Sequence, residues 1–304
     1  MKASEKQQVA RKIVAFLKKE LPAPPKKPEE RNVIETLLYA VGYENATLAE
    51  SDLAAKKLDD DFFDLNELRV STITELRQPF AHLDDSALRA HRVRCILQGT
   101  FEDQYNFDLD GMRKKTLDQA LKQLKKIRDQ SPFVRLYCLK EALSAHVVPL
   151  DDLSCNAAIW CGLIDVGTKP EQGADVLKSV VRKPDASEFF HYLHDLASAK
   201  RDVFHPDQFV IPEEGFDPGN VTSRLPELFG SPKKTASAKP AAKKSPAEGT
   251  AKKSAGSKKA TTKKSAKKKP ASKKSTKKAA TKSSKSAGDA KSKKKATKKA
   301  KASS

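Results

Sequence analysis

Hydrophobic positions recur at helical spacing along the first two hundred residues of the chain. Residues 4–21 place Val9, Ile13 and Leu17 on one side and lysines on the other, which is the pattern of an amphipathic helix. Residues 31–41 are apolar on most faces, as is typical of a buried helix. The same reasoning predicts further helices over residues 46–58, 72–80, 85–99, 110–127, 132–145, 152–163, 170–182 and 188–199. Alternating strand patterns are scarce, so the sequence predicts an all-α fold.

Two local signals refine these boundaries. Gly99 stands at the end of a basic amphipathic segment, and glycine is common just past a helix C-terminus. Asp185 and Glu188 have the spacing of a capping box, which predicts that the last long helix begins between them.

The helical pattern stops near residue 230 and a polycation follows. Residues 231–304 contain 27 lysines against Glu248 and Asp289, a net charge of +25, and the rest of the chain carries −5. The segment has no large apolar residue, so it cannot bury enough surface to offset the entropy of ordering. We therefore expect an N-terminal amphipathic helix at 1–21, a Pro-rich linker at 22–30, a helical domain at 31–225 and a disordered tail at 226–304.

A lysine-rich chain favours double-stranded DNA as its partner. Each lysine that neutralises a phosphate releases a condensed counterion, and this contribution is largely independent of base sequence. The tail is similar in composition to those of linker histones and of histone-like bacterial nucleoid proteins. A solubility or localisation segment is the alternative, and no apolar face accompanies the charge to favour a membrane. The candidate DNA-binding residues of the tail are paired lysines: Lys233, Lys234, Lys243, Lys244, Lys252, Lys253, Lys258, Lys259, Lys263, Lys264, Lys273, Lys274, Lys277 and Lys278.

Composition and residue spacing also indicate the cellular compartment and whether a cofactor is expected. No apolar run has the length of a membrane span, and the first residues lack the apolar core of a signal peptide. We expect an intracellular, DNA-associated protein, in a bacterial cytoplasm or nucleoid rather than a nucleus. Cysteine spacing matches no zinc or iron–sulfur pattern, so Cys95, Cys138, Cys155 and Cys161 are interpreted as buried thiols. His191 and His194 stand three residues apart without a further ligand pattern, so we expect no metal and no cofactor.

Three segments of the body carry a family resemblance. Residues 37–41 (LLYAV) with 44–47 (ENAT) look like an opening helix and its turn, and residues 121–151 occupy the place of a helix, hairpin, helix and catalytic loop. Residues 188–194 (EFFHYLH) look like a late helix. In this order and spacing they resemble the helix-hairpin-helix DNA glycosylase superfamily of the endonuclease III type. The resemblance covers roughly residues 32–199 and implies a helical fold that binds DNA for base-excision repair.

The departures from that family concern its chemistry. The glycine-containing hairpin, which binds a DNA phosphate in the family, falls on residues 127–131 (IRDQS). Both glycines are absent, and Asp129 is an anion at a phosphate-binding position. The resemblance assigns Ser131 and Phe133 to the DNA-contacting turn. Phe133 also replaces the lysine that forms a Schiff base in bifunctional members, and the four-cysteine iron–sulfur loop is absent.

Two further residues follow from the resemblance. The family's essential aspartate falls on Asp151, where it would stabilise positive charge on the sugar or activate water. An aspartate before residues 153–158 is also an ordinary helix cap. Asn45 takes the position of a glutamine that fills the gap left by an extruded base, and a turn or cap is its other interpretation.

Arginines and lysines of the body are a further candidate for a DNA-facing surface, and the ordinary basic residues of surface helices are the alternative interpretation. The residues concerned are Arg89, Arg92, Arg94, Lys114, Lys115, Lys122, Lys125 and Lys126.

Three hypotheses therefore remain open. The first is a DNA-binding protein with a catalytically degenerate glycosylase-like body tethered by its tail. The second is an active monofunctional glycosylase that uses Asp151 and lacks lyase activity. The third is a helical protein-interaction domain for which the tail is only an address, with an unknown protein partner.

Overall fold

A computed structural model describes residues 3–25, 30–213 and 215–230. Within these ranges every regular element is helical and no strand is present, which confirms the predicted all-α class. None of these helices combines the length and apolar character that crossing a bilayer requires. The lysine pairs of the predicted tail lie outside the described residues. The α-helices are α1 Ala3–Glu20, α2 Val33–Tyr43, α3 Leu48–Asp61, α4 Leu65–Val70, α5 Ile73–Leu76, α6 Ser86–Gln104, α7 Leu117–Leu124, α8 Pro132–Leu143, α9 Asp152–Trp160, α10 Pro170–Val180, α11 Lys183–Ala199, α12 Arg201–Phe204 and α13 Val221–Leu228.

Helix α2 is the centre of the core, as its apolar composition predicted. It packs against α3, α6 and α8, and its side chains are buried on nearly every side. Asn32 caps its first turn in a capping box with Glu35. The described residues belong to one compact unit, in which α1 lies on α10, α11 and α13.

Two predicted boundaries in the middle of the chain were wrong. The segment 110–127 is a short 3-10 helix, Asp110–Lys114, followed by α7, because Thr116 starts the second helix in a capping box with Gln119. Helix α6 continues past Gly99 to Gln104. Gly99 therefore lies inside the helix, where a Cβ would be at ordinary contact distance (3.6 Å) from the Ile127 side chain.

The predicted capping box of the last long helix was also wrong. Helix α11 begins at Lys183 with a proline in its first turn, one turn before Glu188. Asp185 and Glu188 instead form ion pairs with Arg11 (3.7 Å) and Lys18 (2.7 Å) of α1. They therefore help to hold α1 against α11. Helices α4, α12 and α13 were not predicted, and α13 runs across the expected boundary at 225/226.

Gly162 follows α9 and packs against the segment that leads into α13. Its φ is +71°, and a Cβ there would meet Pro218 Cγ at 2.7 Å and Phe216 O at 2.8 Å. Replacing it with alanine adds the cost of a left-handed backbone, about 1–2 kcal/mol, to the displacement of the Phe216–Pro218 backbone. We predict that Gly162→Ala lowers the free energy of unfolding by about 3 kcal/mol in urea titrations.

Gly167→Ala is the matched control. Its φ is +79°, yet a Cβ at this position meets nothing within 4 Å. Only the cost of the left-handed backbone remains, about 1–2 kcal/mol. Equal losses for the two variants would show that close packing on Gly162 is not what stabilises this junction.

Candidate functional site

The predicted hairpin is formed by α7, α8 and the turn between them. Asp129 adopts a left-handed backbone with φ +59°, at the position that the resemblance assigns to the first glycine of the hairpin. Aspartate tolerates this conformation better than most side chains. The turn therefore closes without glycine, at the cost of placing a carboxylate at its tip.

Ser131 begins α8. Its backbone is extended and its Oγ accepts a hydrogen bond from Val134 N at 3.1 Å, so the residue is an N-cap. It is 7 % exposed. The neighbouring Gln130 is also buried, and its side-chain amide has no hydrogen-bond partner within the described part of the chain.

Phe133 lies in an aromatic cluster rather than on the surface. It is 1 % exposed, and its ring stacks on Tyr137 (5.8 Å between centroids) and on His194 (5.7 Å). Tyr43 and Phe190 complete the cluster at 6.2 and 6.4 Å from the same ring. In this conformation Phe133 offers almost no surface to DNA, and it fills the core where the resemblance expects a catalytic lysine.

Asp151 is the N-cap of α9. Ser154 donates to its Oδ1 through both the backbone N (2.8 Å) and Oγ (2.6 Å), and Asn45 N donates to its Oδ2 at 2.8 Å. His194 Nε2 lies 3.1 Å from the same Oδ2, an ion-pair distance whose angles are poor for a hydrogen bond. The carboxylate side chain is 1 % exposed, so both of its oxygens are engaged inside the protein.

Asn45 supports this cap from the preceding turn. Its φ is +53°, its Oδ1 accepts from Leu153 N at 3.3 Å, and its backbone O accepts from Arg201 at 3.0 Å. The side chain thus caps α9 together with Asp151.

The two late histidines point to different carboxylates. His191 Nε2 lies 3.3 Å from Asp195, one turn along α11, whereas His194 faces Asp151. His194 is fully buried, and its Nδ1 has no partner among the described residues. The pair therefore does not converge on a shared position.

Burial alone raises the pKa of Asp151, but the positive charge of His194 and the hydrogen bonds from Ser154 outweigh it and lower the pKa to about 2. Its unfolded pKa is near 3.9. Because the pKa of Asp151 is lower in the folded than in the unfolded chain, its ionised carboxylate stabilises the fold at pH values above about 4. This stabilisation is lost as the pH falls from about 4 to about 2.

We predict that acidification from pH 5 to pH 3 removes about 1 kcal/mol of stability through Asp151. Urea titrations at the two pH values would measure the total loss, which includes the other carboxylates. The same pair of titrations on Asp151→Asn isolates the share of Asp151, since that variant should lose less by this amount. Equal losses of stability in the unaltered chain and in Asp151→Asn would contradict the assignment of this pH dependence to Asp151.

A cleft of about 620 Å³ lies between the hairpin turn and the start of α9. Four carboxylates line it, and Arg92 is already ion-paired with one of them. The acidic residues are Glu44, Asp129, Asp151 and Asp152. Such a surface binds a phosphate poorly by charge alone.

The residues of the predicted basic face do not all lie on the surface, because some are exposed and Arg89 is buried. Arg89 is 5 % exposed and donates to the carbonyls of Val41 (2.5 Å), Glu44 (2.7 Å) and Asp84 (2.8 Å). It therefore closes the C-terminal end of α2 and does not face DNA, because buried arginine donors must be satisfied internally. The exposed basic residues near the hairpin are Lys122, Lys125, Lys126 and Arg128.

Sequence reasoning missed the partners of Asp151. Ser154 stands at the N3 position, and that spacing is a readable capping-box signal. His194 lies on α11 far along the chain, and no local pattern links it to Asp151.

Comparisons with known proteins give structural neighbours only. No protein-family model matches the sequence, and no curated protein matches it. The chain is similar to a trapped endonuclease III–DNA covalent intermediate in an estranged-adenine complex (15 % identity, TM-score 0.48, 62 % of this chain and 84 % of that one). It is similar to a non-covalent endonuclease III–DNA complex (16 %, 0.48, 62 % and 84 %) and to a thermostable thymine-DNA glycosylase (10 %, 0.46, 64 % and 86 %).

Proposed function

We propose that this protein binds double-stranded DNA largely without regard to sequence, through its lysine-rich C-terminal segment. The observation that carries the proposal is the division of charge: +25 in residues 231–304 against −5 in the remainder. A segment with this charge density is attracted to phosphodiesters by counterion release. The acidic cleft of the body gives no comparable attraction.

We further propose that the body is a glycosylase-like domain without base-excision activity. Phe133 supplies no nucleophile and is packed in the core. Asp151 has both oxygens engaged by Ser154, Asn45 and His194. A carboxylate so occupied does not reach a sugar or a water without first losing these contacts. The body would then supply shape or partner selectivity.

A salt titration tests the tether. We expect the affinity of the full chain for a duplex to fall by about a thousandfold or more between 50 and 200 mM salt, as for proteins that contact at least six phosphates. Two unrelated duplexes of equal length should bind alike at every salt concentration in fluorescence anisotropy. An affinity that does not respond to salt would overturn the proposal.

An active monofunctional glycosylase is the second candidate, and one observation favours it. Asp151 stays ionised at the N-terminus of α9 and borders the cleft, a position where it would face a flipped nucleotide. Incubation with damaged or mismatched duplexes, followed by detection of abasic sites, tests this candidate against Asp151→Asn. Product above that control would establish the enzyme, and equal background would exclude it for the lesions used.

A further inference from the structure

A second cleft, of about 680 Å³, adjoins the hairpin turn, and residues of α6 and residues 126–129 contribute to its lining. His91 and Cys95 stand one turn apart on α6, so their side chains share a face. Asp129 reaches the same point from the tip of the turn. Among the described residues, these three form a group whose ligand atoms lie within 4.8 Å of one another.

The distances within this group match a metal site. His91 Nε2 lies 3.2 Å from Asp129 Oδ2 and 3.4 Å from Cys95 Sγ, and the Sγ–Oδ2 separation is 3.6 Å. In tetrahedral zinc sites the bonds are about 2.0–2.3 Å, so ligand atoms are separated by about 3.3 Å for N and O and by about 3.5 Å where sulfur is involved. The three distances join the same three atoms pairwise, so one metal ion could be bound by all three atoms.

We propose that His91 Nε2, Cys95 Sγ and Asp129 Oδ2 bind one Zn²⁺ ion. Imidazole, thiolate and carboxylate are the ligands that zinc takes in proteins. Zinc binds the thiolate, so the proton of Cys95 leaves to solvent when the ion enters. Three protein ligands leave the fourth position to water or to an anion.

A zinc ion at this site would change the charge that the hairpin turn presents to a phosphate. The free carboxylate of Asp129 repels a phosphate, whereas a zinc ion bound to it presents a cation with an open position. Arg94 and Arg128 line the same cleft and would help to hold an anion there. This consequence rests on the proposed DNA-binding function, but the metal site itself does not.

Metal binding to the full chain without an affinity tag tests the proposal directly. Titration with Co²⁺ should give one equivalent of tetrahedral visible bands with a thiolate charge-transfer band, and Zn²⁺ should displace the Co²⁺. His91→Gln, Cys95→Ser and Asp129→Asn should each weaken binding about tenfold or more. Asparagine keeps the left-handed turn accessible, so Asp129→Asn removes the ligand rather than the loop conformation.

His205→Gln is the control, because His205 lies 3.7 Å from Asp207 in a pair that lacks a cysteine. It should bind Co²⁺ as the unaltered chain does. Melting curves in the presence of a chelator should be alike for all variants, which separates loss of the ion from loss of the fold.

Absence of the thiolate band would overturn the proposed site. So would Co²⁺ binding by the three ligand variants that is as tight as binding by the unaltered chain. The distances would then reflect hydrogen bonds alone. DNA binding measured in chelator separates this outcome from the tether: if affinity persists there, the proposed function stands whether or not zinc binds.

Discussion

Removing residues 231–304 is expected to weaken binding to duplex DNA by at least about 100-fold at 150 mM salt. The deleted segment carries 27 lysines, and the remaining chain has a net charge of −5. Each phosphate neutralised by lysine contributes about 0.9 to the slope of log affinity against log salt. The truncated chain should therefore bind weakly and show a much flatter salt dependence in fluorescence anisotropy.

Two replacement tails separate charge from sequence. A tail of equal length with every lysine changed to serine should behave like the deletion, because it keeps length and loses charge. A tail with the same composition in permuted order should restore affinity, since counterion release depends on charge rather than on order. The proposal that the tail tethers the protein to DNA would be contradicted if the truncated chain kept its affinity for duplex DNA. It would also be contradicted if the permuted tail did not restore that affinity.

Much of the fold was accessible from sequence because strong local signals coincide with burial. The apolar faces of residues 31–41 predicted α2, the spacing of residues 132–145 predicted α8, and Asp151 as a cap predicted the start of α9. The errors arose where one residue type serves two purposes. Gly99 lies inside α6 rather than at its end, and the acids at 185 and 188 pair with α1 instead of capping α11.

The candidate site was predicted in part. The helix-capping interpretation of Asp151 follows from its place before residues 153–158, and the geometry at the start of α9 confirms the cap, whereas the absence of a lysine at Phe133 follows only from the family resemblance. The contacts of Asp151 with Asn45 and His194 join segments distant in sequence, so only the packing of α11 against α9 reveals them.

The four cysteines are free, as predicted, but Cys95 is only partly buried, because α6 turns it toward the hairpin. The lysines assigned to DNA binding stay a prediction, since they lie outside the described residues.

Asp151→Asn is expected to lower the free energy of unfolding by about 2–3 kcal/mol, because the substitution removes the ionised form and the interactions that lower its pKa to about 2. The substitution removes the negative partner of His194, which is fully buried, and leaves that ring beside a neutral amide. It also turns an amide NH₂ toward one of the two oxygen positions that now accept hydrogen bonds from Ser154 and Asn45. A buried donor without an acceptor carries a further cost.

Asp152→Asn is the matched control one residue along α9. Asp152 is exposed in the folded chain by its accessible surface. Partial desolvation of its carboxyl by neighbouring protein atoms, and repulsion by Asp151, raise its pKa. Removing its charge relieves that repulsion, so we expect a change within about 0.5 kcal/mol of zero, as for an ordinary surface substitution. Urea titrations at pH 7 would compare the two variants. Similar stabilities for both would mean that Asp151 is not locked in place by its partners, and its carboxylate would then be free to turn toward the cleft and act on a bound nucleotide.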